Sequence, residues 1–369
     1  MSGIPESPSI FITGVTGVLI IIESVAPKDR LYTILTGDLG YIGGDAWHAI
    51  TQKYPSCVAR TSCLVRTKDK GDQVLARYPS IRLVYGDLDN TELIEAEASK
   101  ADIILHFASI EHVESASAIS RALQRREKLH QTSYWISVSG TDNIAWKDCE
   151  NKTYGEHPSD QIYDDWDGLS NVTSLPDTAP HRDVECVQLA AGGTFVKTAI
   201  VCAPCIYGIG RGCGNQRSIQ IPDLARYTLQ KGHGLQVGKG LSIWPNVHVA
   251  DLSDVFLRLF EEAIQGGTRA SWNREGYYFA ENGEHVWGEV SSLLAREAQT
   301  RGLTQSAEVR SFEAQEADNQ IDFASLFYGA TSRCKAIRAR KLLGWEPCHA
   351  DIKAAVLEAL EVETRTLKI

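Results

Sequence analysis

The chain has no excess of basic residues and no long run of like charge. Its 369 residues carry 37 Lys+Arg against 47 Asp+Glu, a net charge of -10, which argues against duplex nucleic acid or an anionic membrane as the main partner. It also lacks a stretch able to cross a bilayer. The most apolar segment, Ile10 to Ile22, is broken by Thr13, Gly14, Thr16 and Gly17 and falls short of the roughly 18–20 apolar residues a span needs. Met1 to Pro8 lacks the basic flank of a secretory signal. The nine cysteines are odd in number and scattered, so they read as reduced thiols of a cytoplasmic protein rather than a disulfide scaffold. In that compartment the sequons at Asn151 and Asn171 carry no meaning. Metal-ligand spacing is missing as well: Cys202-Ala-Pro-Cys205 has no second pair, and His233, His248 and His285 stand apart, so no metal is expected. There are no internal repeats or low-complexity tracts. With 43% hydrophobic and 23% charged residues, what remains is a globular enzyme or small-ligand binder of one large α/β unit or two to three domains.

Two segments near the start read as a buried strand entering a glycine turn. One is Ser9-Ile-Phe-Ile-Thr-Gly14-Val-Thr-Gly17; the other is Leu31-Tyr-Thr-Ile-Leu-Thr-Gly37-Asp-Leu-Gly40-Tyr41-Ile42-Gly43, and only the second completes TGxxGxxG. Glycines are needed there because the turn is tight, the backbone must approach a pyrophosphate, and the helix that follows aims its N-terminus at the phosphates. Asp45 to Lys53 supplies that helix. Deleting residues 18–40 would splice Gly17 onto Tyr41-Ile42-Gly43 and restore a single complete fingerprint. Residues 18–40 are therefore read as an insertion, either a retained intron or splice variant, or an extra surface strand or loop.

Further strands are expected at Thr61–Arg66, Ile81–Leu88, Ala101–Ala108, Ser133–Ser139 and Thr194–Cys202, with helices at Thr91–Ser99 and Ala116–Arg126 between them. Strand, helix, strand in repetition, with near-continuous apolar strands, is the pattern of a parallel sheet covered on both faces. The expected fold class is α/β: a Rossmann-type doubly wound parallel sheet with a smaller C-terminal substrate lobe. Residues 1–206 would form the dinucleotide-binding domain and 207–369 mainly the lobe, with 244–280 returning to the Rossmann domain. The lobe's expected helices are Ile221–Lys231, Asp251–Gln265 and Trp287–Arg301. The polar segment 150–180 reads as a long loop.

These landmarks, in this order, resemble the extended short-chain dehydrogenase/reductase family, in its NAD-dependent epimerase/dehydratase group. They are the glycine fingerprint, Gly86-Asp87-Leu88, His106-Phe107-Ala108-Ser109, Pro204-Cys-Ile-Tyr207-Gly208-Ile-Gly210-Arg211-Gly212, Asn246-Val-His248-Val-Ala-Asp251 and Leu343-Gly344-Trp345. The run Tyr277 to Trp287 is similar to fungal members in particular. The resemblance implies that one of the two glycine turns, Gly14-Gly17 or Gly37-Gly40-Gly43, meets the cofactor's pyrophosphate, with Tyr41 and Ile42 beside it. It also implies that Asp87 hydrogen-bonds adenine, with Leu88, Phe107 and Ala108 beside it. The residue closing the second strand separates the cofactors, and Arg66 there, near Lys68 and Lys70, favours NADP, with NAD as the alternative. Tyr163, Tyr207, Arg211, Asn215 and Trp244 are the candidate substrate contacts, and a homodimer is the family-like assembly.

At the catalytic centre the family uses a Ser/Thr on the fifth strand, a Tyr and, four residues later, a Lys. Ser139 and Thr141 match the first role. Where Tyr-x-x-x-Lys belongs, the chain reads Asp177-Thr-Ala-Pro-His181-Arg182-Asp-Val-Glu185, which puts Asp177 at the Tyr position and His181 at the Lys position. The one true Tyr-x-x-x-Lys string, Tyr227 to Lys231, falls too late and reads as chance. His181, with an ordinary pKa of about 6.5, is the candidate acid/base, and Arg182 is the candidate ribose contact; a structural histidine at a helix start is the alternative. The expected activity is NADP-dependent oxidation, reduction or epimerisation of a small carbonyl or hydroxyl compound by hydride transfer. Two alternatives stand beside it: a catalytically degenerate dinucleotide-binding regulator or scaffold, and a non-redox isomerase or cyclase with a structural cofactor.

Overall fold

In the computed structural model the described residues are 10–13, 19–21, 40–156 and 160–369. An eight-stranded sheet organises the larger lobe. Its strands are β1 (Ile10–Thr13), β2 (Leu19–Ile21), β3 (Thr61–Val65), β4 (Arg82–Tyr85), β5 (Ile103–His106), β6 (Ser133–Gly140), β7 (Val196–Ala203) and β8 (Tyr277–Phe279). Parallel pairing runs β4-β3-β1-β5-β6-β7-β8. Helices cover both faces, which is why β3, β5, β6 and β7 bury nearly every residue: each is apolar on both sides of the pleat. Burying a large side chain such as Trp135 or Ile136 contributes on the order of 1.5–3 kcal/mol.

β1 occupies the central position, between β5 and β3. The helix that follows it in the fold begins at Tyr41, with Gly40 as its N-cap in extended backbone, four residues before the expected Asp45. Between them β2 adds a short antiparallel strand that pairs with both β1 and β4. Gly14, Gly17, Gly37 and the expected strand at Leu31–Thr36 lie outside the described residues.

The polar segment 150–180 is more ordered than its composition suggests. Tyr163–Asp164 pairs with Cys334–Lys335, and Leu169–Thr173 is a short helix. The reason is tertiary: the buried Asp165 accepts N–H groups from Phe279 at 2.8 Å, Ile337 at 2.8 Å and Arg338 at 2.9 Å, binding this loop to the sheet edge. Burial lifts the Asp165 carboxyl to about 6, the backbone donors opposing it.

The smaller lobe has its own apolar core, which includes Tyr207, Leu224, Trp287, Tyr328 and Leu360. The helices Gln220–Lys231, Trp287–Thr300 and Ile352–Leu367 build it. A three-stranded sheet of Cys205–Tyr207, Ile243–His248 and Glu284–Val286 lies between the lobes' chain segments. The helix Val249–Ile264 packs against the helix Tyr41–Lys53. All nine cysteines are free thiols, and among the described residues no helix is long and apolar enough to cross a membrane.

Candidate active site

The parallel strands set the register of the site. Thr13 pairs with His106, His106 with Ser137, and Ser139 with Cys202, so β1, β5, β6 and β7 end together along one edge. Beyond that edge lies a cleft of about 520 Å³, bordered by Ile42, Phe107, Ala108, Glu111, Ser139, Asp142, His181 and Trp244 among others. An adjoining cavity of about 280 Å³ shares Ile42 and Phe107 and reaches Gly40, Tyr41, Asn215 and Arg217.

His181 stands at the start of the helix Arg182–Ala191 in left-handed backbone, φ 62°, a conformation uncommon for a residue with a Cβ. Arg182 shows how the loop is held. Its Nε donates to the Leu175 carbonyl at 3.1 Å and its Nη2 to the Thr173 carbonyl at 2.5 Å. The guanidinium thus ties down the preceding turn and does not border the cleft, so it serves as a positioning residue instead of the expected ribose contact.

The imidazole of His181 is 7% exposed and lies between two carboxylates. Nε2 is 2.6 Å from Asp142 Oδ2, and Nδ1 is paired with Glu111 Oε1. Burial alone would depress its pKa, but the hydrogen bonds and charges of Asp142 and Glu111 outweigh burial and raise it to about 10. That corrects the ordinary value of about 6.5 expected from the sequence. His181 is a clamped imidazolium near neutral pH. Its two partners differ: the Asp142 side chain is 12% exposed and Glu111 63%, so Glu111 is the partner that can leave.

One turn further along the same helix, the fully buried Glu185 closes a second cluster. Its Oε1 accepts from Ser139 Oγ at 2.7 Å, Asn143 Nδ2 at 2.9 Å and Tyr277 Oη at 2.8 Å. Burial raises the Glu185 carboxyl above its ordinary range, against the pull of Ser139, Tyr277 and the nearby Arg182. Gln188, a turn beyond, holds the Trp135 and Ala199 carbonyls at 3.1 Å each. The Ser139 hydroxyl is thus committed to Glu185, although Ser139 lines the cleft.

Several other candidates sit away from the cleft. Thr141 is buried with its carbonyl accepting from Ser332 Oγ at 2.6 Å, because the chain turns into a 3-10 segment after β6 and carries it inward. Tyr163 packs in the core with its hydroxyl 3.3 Å from Trp146 Nε1 and does not border the cleft as the expected substrate contact. Tyr207 is 1% exposed and donates to the Ala350 carbonyl at 2.8 Å. Arg211 forks onto the buried Asp45, Nε to Oδ2 at 2.9 Å and Nη2 to Oδ1 at 2.6 Å, and Ser253 Oγ joins at 2.6 Å. That clasp joins both lobes, so the guanidinium is structural. Asn215 borders only the adjoining cavity. Asp177 is exposed on a turn, and Tyr227 is buried on a lobe helix outside the cleft lining.

On the cofactor side, Arg66 directly follows β3, Asp87 follows β4, and Phe107 and Ala108 follow β5. Asp87 is exposed, its carboxylate accepting the N–H groups of Asp89 and Asn90 at 3.1 and 3.2 Å, and Leu88 beside it is half-buried. Gly43 is buried in the first turn of its helix. Tyr41 turns its hydroxyl to the Gly208 carbonyl at 2.6 Å. Among the described residues one Cys/His/carboxylate group has ligand spacing, Asp251 with Cys348 and His349; there Asp251 accepts both backbone N–H groups at 3.1 Å and fastens the loop to the helix.

Asp142 and Glu111 were not legible as site residues. The available signal was position: each follows the C-terminal end of a parallel strand, where such folds place ligands.

A doubly wound sheet whose strand ends open on a cleft beside a smaller lobe defines a Rossmann-type chain. It belongs to the extended short-chain dehydrogenase/reductase family, in the NAD-dependent epimerase/dehydratase group. An oxidase of Acremonium sp., ucsJ, is 39% identical over 322 residues, 85% of this chain and 91% of that protein. An uncharacterized protein of Saccharomyces cerevisiae, YLL056C, is 22% identical over 320 residues, 85% of this chain and 93% of that protein. No protein-family model matches. Among solved structures, dTDP-glucose 4,6-dehydratase of Bacillus anthracis in complex with NAD superposes with TM-score 0.60 at 14% identity, covering 98% of each chain. That likeness shows the fold.

Proposed function

We propose that the chain is a nicotinamide-dinucleotide-dependent oxidoreductase in which His181 transfers the proton to or from the oxygen of a carbonyl or hydroxyl substrate. The observation that carries this is the clamped imidazolium at the wall of the cleft, at the family's Lys position. A hydride added to a carbonyl carbon leaves an alkoxide that needs a proton. With Glu111 displaced by the substrate oxygen, His181 donates the Nδ1 proton and keeps its Nε2–H on Asp142. In the reverse direction the neutral imidazole accepts that proton.

The residues at the strand ends fit a dinucleotide. The first turn of the helix Tyr41–Lys53 carries no acidic side chain, and its N-cap Gly40 opens into the adjoining cavity, so the positive helix end suits a pyrophosphate. When bound, the dinucleotide supplies or takes the hydride. Arg66 supports NADP. Of the neighbouring basic residues, Lys68 is paired with Asp72 at 2.5 Å, and the backbone N–H of Lys70 caps onto Thr67. The oxidase name of the Acremonium relative supports the redox reading, and the NAD held in solved neighbours supports the cofactor class.

Fluorescence titration with NADPH and NADH, followed by turnover of a carbonyl and alcohol panel, tests the reading. Arg66→Ala should weaken NADPH about tenfold, the loss of one charge-assisted phosphate contact, and leave NADH unchanged. Tight dinucleotide binding with no turnover of any substrate would instead favour a dinucleotide-binding regulator.

A further inference from the structure

The cleft's lining bears on its substrate, an inference that rests on the cleft being the reactive site. Among the described residues that line it, no Lys or Arg is present, and the charged groups are His181, Glu111 and Asp142. The adjoining cavity has one cationic side chain, Arg217. Its guanidinium is already ion-paired, with Glu363 Oε1 2.7 Å from Nε and Asp223 Oδ1 2.7 Å from Nη2, and Nη1 donates to the Ser218 carbonyl at 3.2 Å. With the helix end at Gly40 taken by the dinucleotide's pyrophosphate, a second diphosphate, belonging to the substrate, would meet Glu111 and Asp142 in the cleft and no Lys or Arg among its described lining residues, a repulsive arrangement.

Three of the wall's side-chain donors are spent within the protein. Ser139 Oγ donates to Glu185, Trp244 Nε1 to the Ala330 carbonyl at 2.8 Å, and Gln220 Nε2 to the Phe327 carbonyl at 3.4 Å. A sugar ring carrying several hydroxyls would leave some of them without a replacement for lost hydration. A single oxygen facing His181 would be satisfied.

The rest of the wall is apolar and is held in place for contact. Phe323, Leu326 and Phe327 come from a segment running into a π-helical turn, Ser325–Gly329, a form that recurs at functional sites. Asp318 pins that turn, accepting Ser325 N–H at 2.7 Å and Oγ–H at 2.8 Å, and Tyr328 Oη donates to the Gln220 carbonyl at 2.9 Å. Phe323 keeps left-handed backbone, φ 60°, and is 66% exposed; Ile219, which also lines the cleft, is 58% exposed. Bulky apolar side chains held exposed at the edge of a cleft mark a ligand surface.

We infer that the substrate is a neutral, largely apolar molecule, an aromatic or alicyclic compound carrying the reacting hydroxyl or carbonyl, and not a sugar nucleotide. Calorimetry on the NADPH-loaded full chain with cyclohexanone, α-tetralone and their methylated homologues, against UDP-glucose, tests this. Affinity should rise about three- to fourfold per buried methylene, and UDP-glucose should not bind. Phe327→Asp should weaken α-tetralone at least tenfold; Phe323→Ser, at an exposed position that leaves the fold intact, should weaken it by a smaller factor in the same direction. UDP-glucose binding more tightly than α-tetralone, or α-tetralone affinity unmoved by both substitutions, overturns the inference. Apolar binding without hydride transfer would support the ligand class while overturning the oxidoreductase reading, so the two fail separately.

Discussion

His181 and Glu185 stand one turn apart on the same helix, and each belongs to a cluster of charged and hydrogen-bonding side chains. Around Glu185 the three donors to Oε1, Ser139, Asn143 and Tyr277, are themselves buried, so the cluster is closed to solvent and its work is to lock the helix onto the sheet. Around His181 one partner, Asp142, is shielded while the other, Glu111, is largely exposed. That single open side gives a substrate oxygen a way to reach a proton. Similar chemistry four residues apart thus yields a buried lock in one case and, in the function proposed above, the proton-transferring group in the other, and the difference is solvent access to a partner.

The sharpest way to break this contrast is His181→Ala. Turnover should fall about 10²- to 10⁴-fold, the range for a general acid, with dinucleotide affinity retained; unaltered turnover would remove His181 from the proton path. Glu185→Ala should act oppositely. Leaving buried donors unpaired costs on the order of 3 kcal/mol of stability, read as a lowered denaturation midpoint. Because the Glu185 carboxyl is raised in the fold, its neutral form is favoured. Its stability contribution is therefore greatest below the unfolded carboxyl range and is lost as pH rises through the folded pKa. Glu185→Gln, mimicking the neutral form, should cost only about 1 kcal/mol and flatten that pH dependence. An equal loss for Ala and Gln would contradict the closed network.

Titration tests the open cluster. With His181 raised to about 10 from about 6.5 unfolded, its stabilising contribution is complete below pH about 6.5 and disappears as pH rises through about 10. Carbonyl reduction should decline above the same value, while alcohol oxidation should gain as the neutral imidazole forms. A midpoint near 6.5 in either profile would mean that the carboxylate clamp does not act. The smallest effect is expected from Glu111→Gln: a downward shift of the His181 midpoint, with stability changed by less than about 1 kcal/mol, the scale of an exposed pair.

Much of the architecture was legible because long apolar strands and amphipathic helices announce themselves locally. The expected Thr91–Ser99 and Trp287–Arg301 are the helices Thr91–Ala98 and Trp287–Thr300, and β3, β6 and β7 lie within a residue or two of their expected bounds. The order in segment 150–180 was not legible, since Tyr163–Asp164 gains its strand only by pairing with Cys334–Lys335. Among site residues, Phe107, Ala108, Ser139, His181 and Trp244 border the cleft, whereas Arg182 and Arg211 look the same in sequence but are consumed by a loop and by Asp45. A guanidinium's partner, carbonyl or carboxylate or phosphate, is not written in its flanking residues.

From the sequence alone come the doubly wound fold, its family and the loss of the Tyr and Lys pair, because apolar periodicity and strand-end motifs are local and survive in one dimension. The tertiary structure alone decided the surroundings of His181. The charge on His181 depends on Glu111 after β5 and Asp142 after β6 meeting at one imidazole, and a pKa is set by neighbours in space and by exclusion of water, neither of which the order of residues specifies.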